Sequence, residues 1–302
     1  MPEAETSHDT ASRGKKGTSG RFLSTRQSHL TEWMDLPDCP PDKLRNTYRQ
    51  FPIVNRLISR WDAVYRKWIR PSLQPHRTFH LLDVGSGGGD ITHRIWYLAA
   101  RDGYRLKVTG IDPDPRAWSF ATEMHAGSAT EKGGDDVSPG RDKTANGLQF
   151  RQATTTSLIE LGESFDFVIC NHVLHHLMDV DIPPFMEELE QLAGIRVICS
   201  DIERSLTGYT LFSLATWPFF PGSFIRADGL ISIRRSFTLN ELCRMAPDRW
   251  KVTRMFPYRL VAIFEGNLAD GNDDLRKNAN PERGESTDST IKHTFHKTSL
   301  SS

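Results

Sequence analysis

Residues 81–90 read LLDVGSGGGD, an apolar strand end followed by a turn with four glycines in five positions. Gly85, Gly87 and Gly89 permit a tight turn and a close approach of the backbone to a ligand. Asp90 stands where a dinucleotide fingerprint needs a small residue, and the run lacks the GK[ST] of a phosphate-binding loop. The stretch therefore predicts a strand, a ligand-binding turn and a helix, and it leaves the ligand open.

Strands and helices alternate from this turn onward. Apolar runs predict six further strands, at 105–114, 148–153, 165–171, 195–202, 251–256 and 259–266. Alternation with helices indicates a parallel sheet covered on both faces, and the short turn between the last two runs allows an antiparallel hairpin at its edge. We predict an α/β fold: a Rossmann-like, seven-stranded, mostly parallel sheet with an antiparallel last strand, helices on both faces and an N-terminal helical extension.

The composition of each segment predicts whether it folds. The polar stretches cannot bury enough surface to offset their entropy, so they are predicted to lack fixed structure. Apolar residues recur at three- and four-residue steps from Leu44 to Trp68, which predicts a buried helical face, and Pro52 is expected to begin a second helix there. The predicted divisions are a disordered tail at 1–25, the helical extension at 26–75, the main domain at 76–265 with a mobile insert at 127–147 and a lid insertion at 203–235, and a disordered tail at 266–302.

Charge and cysteine usage exclude several classes of function. The 302 residues include 38 Lys plus Arg and 38 Asp plus Glu, so no global field attracts nucleic acid, and we predict no nucleic-acid partner. None of the four cysteines lies in a CxxC pair, so neither a zinc site nor a disulfide framework is indicated, and no metal is predicted. The N-terminal residues lack the apolar core of a secretory signal, so a cytoplasmic location is expected.

The uncharged run at 205–225, SLTGYTLFSLATWPFFPGSFI, is about long enough to span a bilayer. Pro218 and Pro221 argue against a transmembrane helix, so the run is predicted to form a buried or lid element. Its aromatic residues suit a flat or lipidic small molecule, although plain core packing explains them as well. Peripheral contact with a membrane through this run is a further expectation.

Polar residues stand at the predicted carboxyl ends of the strands, where open parallel sheets bind ligands. Asp112, in the run GIDPD, lies where a carboxylate could accept hydrogen bonds from a ribose hydroxyl pair. The alternative is a helix N-cap, which Asp114 before Pro115 fits well.

Three motifs in order, LLDVGSGGGD, VTGIDPDPRA and FDFVICNHVLHHL, resemble the class I S-adenosylmethionine-dependent methyltransferases, and most closely their small-molecule, quinone-methylase-like branch. The resemblance covers about 78–265 and implies an enzyme with S-adenosyl-L-methionine as cofactor. It implies that the methionine portion is held by Asp83 and by the loop residues Gly85, Ser86, Gly87 and Gly89. It further places Asp112 at the ribose, Pro113 at the adenine, and Asn171 and His172 beside the sulfonium.

The third strand departs from this family. Family members usually have an acid near the adenine amino group, whereas this chain reads QATTT with Thr154 at that place. A hydroxyl can accept a hydrogen bond without charge, so weaker adenine anchoring is expected.

Two histidines and an acid are candidates for catalysis. His175 and His176 open the helix after the fourth strand, and imidazole is well suited to removing a proton near neutral pH. Asp201, at the end of the fifth strand, could orient one of them, as carboxylates do in triads. The alternatives are helix-start or packing histidines and a turn aspartate.

The resemblance implies methyl transfer to a small, aromatic or quinone/phenol-like acceptor, with oxygen favoured as the methylated atom and carbon second. Two alternatives stay open from the residues themselves. One is an oxidoreductase with a nucleotide cofactor, and the other is a non-catalytic binding module that uses the same fold.

Overall fold

The computed structural model describes residues 22–126 and 147–266. The tails predicted at 1–25 and 266–302 and the insert predicted at 127–147 lie, but for a few residues at their edges, outside these ranges.

Seven strands of the described chain form one sheet: β1 (Thr78–Val84), β2 (Arg105–Asp112), β3 (Leu148–Gln152), β4 (Phe165–Asn171), β5 (Ala193–Ile202), β6 (Lys251–Met255) and β7 (Arg259–Glu265). Their order is β3-β2-β1-β4-β5-β7-β6. β7 runs antiparallel to β5 and β6, and the other neighbouring pairs are parallel. The predicted fold class is confirmed, with β7 as the one reversed strand among the seven.

Nine α-helices in the described ranges accompany the sheet: α1 (Pro41–Ile58), α2 (Trp61–Val64), α3 (Asp90–Arg101), α4 (Pro115–His125), α5 (Thr155–Glu160), α6 (Ile182–Leu192), α7 (Leu206–Thr216), α8 (Ile225–Arg235) and α9 (Leu239–Met245). α2 continues into a π-helical turn, Tyr65–Ile69. None of these helices is both long enough and apolar enough to cross a bilayer.

The central strands bury side chains on both faces because their apolar residues are continuous rather than alternating. Leu81 joins one core with residues of α2 and α3, and its neighbour Leu82 joins the other with α5, α6 and α9. Successive strand residues point to opposite faces, so both cores grow from the same strands. Because β1, β2, β4 and β5 are parallel, their carboxyl ends meet at one rim of the sheet.

The prediction for Pro52 was wrong. α1 runs unbroken through Pro52, and the new helical segment begins only after Arg60, whose φ of 55° turns the chain. Proline inside a helix removes one i→i−4 hydrogen bond. The buried Tyr48, which packs on Phe120 of α4 with ring centroids 5.1 Å apart, helps hold the preceding turn in place.

Candidate cofactor and acceptor site

The rim formed by the carboxyl ends of the strands opens into a cavity of about 1120 Å³. Ten of the residues singled out from the sequence line it: Asp83, Gly85, Ser86, Gly87, Asp112, Pro113, Asn171, His172, His175 and His176. Gly89, Thr154 and Asp201 do not line it. The topology therefore brings together residues from Asp83 to His176, which are 93 positions apart in the sequence.

The glycine loop between β1 and α3 needs glycine at two places for steric reasons. Gly85 has φ 68°, and an added Cβ would lie 2.6 Å from Cγ2 of Val173. Gly89, the N-cap residue of α3, has φ 79°, and a Cβ there would lie 2.5 Å from the ring of Phe150. Both positions combine a left-handed backbone with a close neighbour, so side chains there would strain the loop.

The carboxylate of Asp112 joins this loop to the end of β2. Its Oδ2 accepts from the N–H of Gly87 at 2.9 Å, and its Oδ1 accepts from the N–H of Asp114 at 2.9 Å. Each oxygen keeps lone-pair capacity for a further donor. The helix cap of α4 is Asp114, which accepts from the N–H of Arg116, so the two acids of this turn make different contacts.

Asp83, which is buried, and Asp90, which is partly buried, add two carboxylates to the same wall. Asp83 accepts from the hydroxyl of Thr92 at 2.6 Å, and burial raises its pKa to about 7. Asp90 accepts from Asn55 of α1 at 3.0 Å, and burial raises its pKa as well. In the described ranges no lysine or arginine pairs with either acid. We call Asp83, Asp90 and Asp112 the acidic wall. Its charge favours a ligand with a cationic group.

Thr154 lies away from the cavity. It is an exposed N-cap of α5, where its hydroxyl accepts from the N–H of Ser157 at 3.2 Å while the Ser157 hydroxyl accepts from the N–H of Thr154 at 3.1 Å. The threonine run after β3 thus has a local role, a capping box between Thr154 and Ser157.

The end of β4 is held by an arginine that the sequence analysis did not single out. Arg259 of β7 is fully buried and donates to Oδ1 of Asn171 at 2.8 Å and to the ring of His172. His172 has a left-handed φ of 62°. Burial, with the neighbouring guanidinium, lowers the pKa of His172 well below its usual value. His172 is therefore a neutral acceptor at neutral pH.

His175 lies between two buried carboxylates. Its Nδ1 is 2.7 Å from Oδ1 of Asp201, whose Oδ2 accepts the backbone N–H of His175 at 3.0 Å. On the opposite side Nε2 lies 3.3 Å from Oε1 of Glu32. Burial alone would lower the pKa of His175, but the two carboxylates raise it to about 9. Between these two carboxylates, the imidazole ring is protonated and carries a positive charge at neutral pH.

Glu32 brings a segment that the sequence analysis missed into the site. Its carboxylate is buried, which would raise its pKa, but His176 and His175 hold that pKa at about 2. His176 is partly exposed, with Nε2 3.9 Å from Glu32 and Nδ1 3.1 Å from Asp35. We call Glu32, His175 and His176 the Glu–His cluster. The signal that could have found it is an acid set among large apolar residues in the run TEWMDL, 31–36.

The segment 26–36, here called the strap, is fixed to the lid side of the site. The N–H groups of Trp33 and Met34 donate to the carboxylate of Asp228 in α8 at 2.8 and 3.0 Å. Arg26 donates to the backbone oxygen of His175 at 3.0 Å. The strap therefore links α8 to the turn that follows β4.

Some side chains of the lid run at 205–225 line the cavity, and others do not. Phe212, Phe219 and Phe220 line the cavity with apolar residues of α1, whereas Tyr209 and Trp217 do not line it. A Cβ on Gly229 of α8 would overlap the ring of Phe212, so glycine there allows α7 to pack closely. The lid side of the cavity is accordingly apolar and partly aromatic.

Part of the chain matches a known family. Residues 82–194 match the family described as "Methyltransferase domain". The chain is similar to ubiquinone biosynthesis O-methyltransferases of Sinorhizobium fredii, at 31% identity over 152 residues covering 50% of each chain, and of Sinorhizobium medicae, at 30% over 184 residues covering 60% of this chain and 62% of the relative. It thus spans about half to three-fifths of the length of these curated relatives.

A solved structure shares the fold. The plantazolicin methyltransferase BpumL, in complex with SAH, matches 78% of this chain and 93% of its own with a TM-score of 0.52 and 12% identity. Identity at that level supports the fold alone. Residues 82–194 therefore match a methyltransferase domain, and the likeness in fold extends over 78% of the chain.

Proposed function

We propose that this protein transfers the methyl group of S-adenosylmethionine to an oxygen of a small, apolar, quinone- or phenol-like acceptor. One observation carries the proposal. A single cavity combines the acidic wall, an apolar wall from the lid, and the Glu–His cluster. The similarity to ubiquinone biosynthesis O-methyltransferases supports the quinone-like acceptor.

The acidic wall fits the cofactor. Asp83, Asp90 and the Gly85–Gly89 loop would hold the methionine portion, because a cationic ammonium would stabilise the charge of two acids that lack a basic partner in the described ranges. Asp112 would accept the ribose hydroxyls with its remaining lone pairs. Pro113 would border the adenine, which Thr154 does not approach from its capping position.

The catalytic task is alignment. When bound, the cofactor supplies a methyl group already activated on a sulfonium, so the protein has mainly to hold the acceptor oxygen about 3 Å from it. Asn171 and His172, fixed by Arg259, form the end of β4 on the cofactor side.

The Glu–His cluster would receive the acceptor oxygen. Because His175 carries a positive charge between its two carboxylates, we assign His175 and His176 to stabilising a phenolate rather than removing a proton. Asp201 positions His175 through two hydrogen bonds. An activated aromatic carbon, which depends less on such stabilisation, is the second candidate acceptor.

The outer face of the lid suits contact with a membrane that holds an apolar acceptor. Several large apolar residues of the lid are more than half exposed: Leu206, Leu211, Leu214, Trp217 and Phe219. Leu211 and Phe219 also line the cavity. The exposed patch is therefore continuous with the apolar wall, and we propose that a lipidic acceptor enters there.

Two measurements test the proposed function. Calorimetry with S-adenosylmethionine and S-adenosylhomocysteine is expected to show one site, and absence of binding at millimolar concentration of both would refute it. Incubation with labelled cofactor and a cell extract should then label an apolar, solvent-extractable product. If the cofactor binds but no small molecule is labelled, the protein is a binding module.

A further inference from the structure

We propose that the site recognises the methionine portion of its cofactor through the amino group and makes little use of the carboxyl group, and that Asn55 of α1 positions Asp90 for this contact. The inference rests on the proposed function, because it concerns the same cofactor. The sequence motifs assign no such role to α1, whose pattern predicts only a buried helical face.

The charged side chains around the cavity are mostly acidic. Eight acidic residues line it, three of them from the acidic wall, and no lysine or arginine of the described ranges does so. The charged His175 belongs to the Glu–His cluster, where Asp201 and Glu32 already contact it. An amino group, which is a cation at neutral pH, is therefore stabilised beside the acidic wall. A carboxyl group finds no basic side chain there in the described part of the chain.

Three N–H groups of the glycine loop already have acceptors within the protein. The N–H of Ser86 donates to the backbone oxygen of Ile111, and the N–H of Gly89 donates to the backbone oxygen of Ser86, both at 2.9 Å. The N–H of Gly87 donates to Asp112 at 2.9 Å. Backbone N–H groups at the start of a helix commonly bind anions. A cofactor carboxylate would have to compete for these three with acceptors of the protein itself.

Asn55 reaches the acidic wall from α1. Its amide nitrogen donates to Oδ2 of Asp90 at 3.0 Å, and both residues line the cavity. A carboxylate accepts hydrogen bonds, so the amide nitrogen faces Asp90 and the amide oxygen is left for a donor. No donor in the described ranges contacts that oxygen. The amide oxygen and the Asp90 carboxylate are therefore two neighbouring acceptors for one ammonium group.

The acids of this wall keep their charge at a cost that a bound cation would offset. Burial, followed by the charges of Asp90 and Asp112, raises the pKa of Asp83 to about 7. Burial raises the pKa of Asp90 too, while the hydrogen bond from Asn55 favours its charged form. An ammonium would stabilise both carboxylates. Asn55 therefore prepares Asp90 for a cation before the ligand binds.

Calorimetry of the full chain with three ligands tests this preference. S-adenosylhomocysteine is compared with an analogue that lacks the amino group and with one that lacks the carboxyl group, above pH 7, where Asp83 is ionised. Loss of the amino group should weaken binding about 30-fold, because charge-assisted hydrogen bonds are lost. Loss of the carboxyl group should change the affinity less than about threefold. None of these ligands carries a sulfonium, so the amino group is the cation that is tested.

Asn55→Ala separates a positioning role from a packing role. The variant should bind S-adenosylhomocysteine and the carboxyl-free analogue about tenfold more weakly, and the amino-free analogue as the wild type does. Asn46→Ala is the matched control. Asn46 lies on the same helix, donates to the backbone oxygens of Pro221 and Gly222, and does not line the cavity. This control should bind all three ligands with wild-type affinity.

Two results would overturn the inference. One is a loss of affinity without the carboxyl group that equals the loss without the amino group. The other is equal weakening of all three ligands by Asn55→Ala in a variant that circular dichroism shows to be folded, which would mean that Asn55 only packs. The two proposals fail separately: binding of S-adenosylhomocysteine without the preference removes only this inference, whereas absence of binding by all three ligands refutes the proposed function itself.

Discussion

The two walls of the cavity are built from different parts of the chain. On the β1–β2 side, Asp83 contacts Thr92 nine residues later, and Asp112 contacts Gly87 across 25 residues. On the β4–β5 side, Glu32 contacts Ser232 across 200 residues. The first wall arises from consecutive strand–loop–helix units, whereas the second exists only once the strap and α8 have packed. The comparison predicts that the first wall can be damaged without loss of stability and the second cannot.

Removal of the charge at the centre of the second wall should have the largest effect. His175→Ala leaves the buried carboxylates of Glu32 and Asp201 without their shared cation, a change that typically costs 3–5 kcal/mol. Denaturant unfolding should show this loss of stability, and turnover should fall as well. Affinity for S-adenosylhomocysteine should stay nearly constant in the folded variant. A parallel loss of cofactor affinity would mean that the two walls are not separable.

Asp112→Ala should affect binding and spare stability. The variant removes the proposed ribose contact, so affinity for S-adenosylhomocysteine should fall at least tenfold, about 1.4 kcal/mol, in calorimetry. Unfolding free energy should change less than for His175→Ala, because the lost contacts are two hydrogen bonds within one turn that lines the cavity. Asp181→Ala, at an exposed acid outside the cavity, is the control. Unchanged affinity would remove Asp112 from the site.

Asp83 gives the acidic wall a pH signature. Burial raises its folded-state pKa from 3.8 to about 7. The protonated carboxyl group therefore stabilises the folded state fully below about pH 4, and this stabilisation is lost as the pH rises to 7. Asp83→Asn cannot ionise, although Thr92 can still donate to it. Thermal melts without cofactor should therefore show an advantage of the variant that grows from pH 4 to pH 7, reaches a few degrees, and then levels off. An advantage independent of pH would contradict this assignment.

The smallest effect on the folded protein is expected at the outer face of the lid. Leu214→Ser replaces a side chain that is 68% exposed and does not line the cavity, so stability should change by less than about 0.5 kcal/mol. Cosedimentation with phospholipid vesicles should nevertheless fall several-fold. Leu161→Ser, at a leucine 69% exposed on another part of the surface, should leave vesicle binding unchanged. Equal binding by the wild type and both variants would contradict membrane contact through the lid.

The sequence alone was sufficient for the sheet and for the first wall. Apolar runs that alternate with helices define a parallel sheet, and strand direction places Asp83, Asp112 and Asn171 at one rim. Each of these features arises within one strand–loop–helix unit, where backbone geometry limits the possible outcomes. The same reasoning did not predict that α1 continues through Pro52, because the packing of a buried helix face can outweigh one lost hydrogen bond.

Only the tertiary structure decided the second wall. No local pattern shows that Glu32 is buried against His175, that Arg259 fixes the end of β4, or that Thr154 turns away as a helix cap. Each of the first two contacts joins side chains far apart in the chain, and their charges become strong interactions only after water has been excluded from both. The sequence by itself determined which polar residues gather at the carboxyl ends of the strands. The folded chain determined which charges come to lie against them.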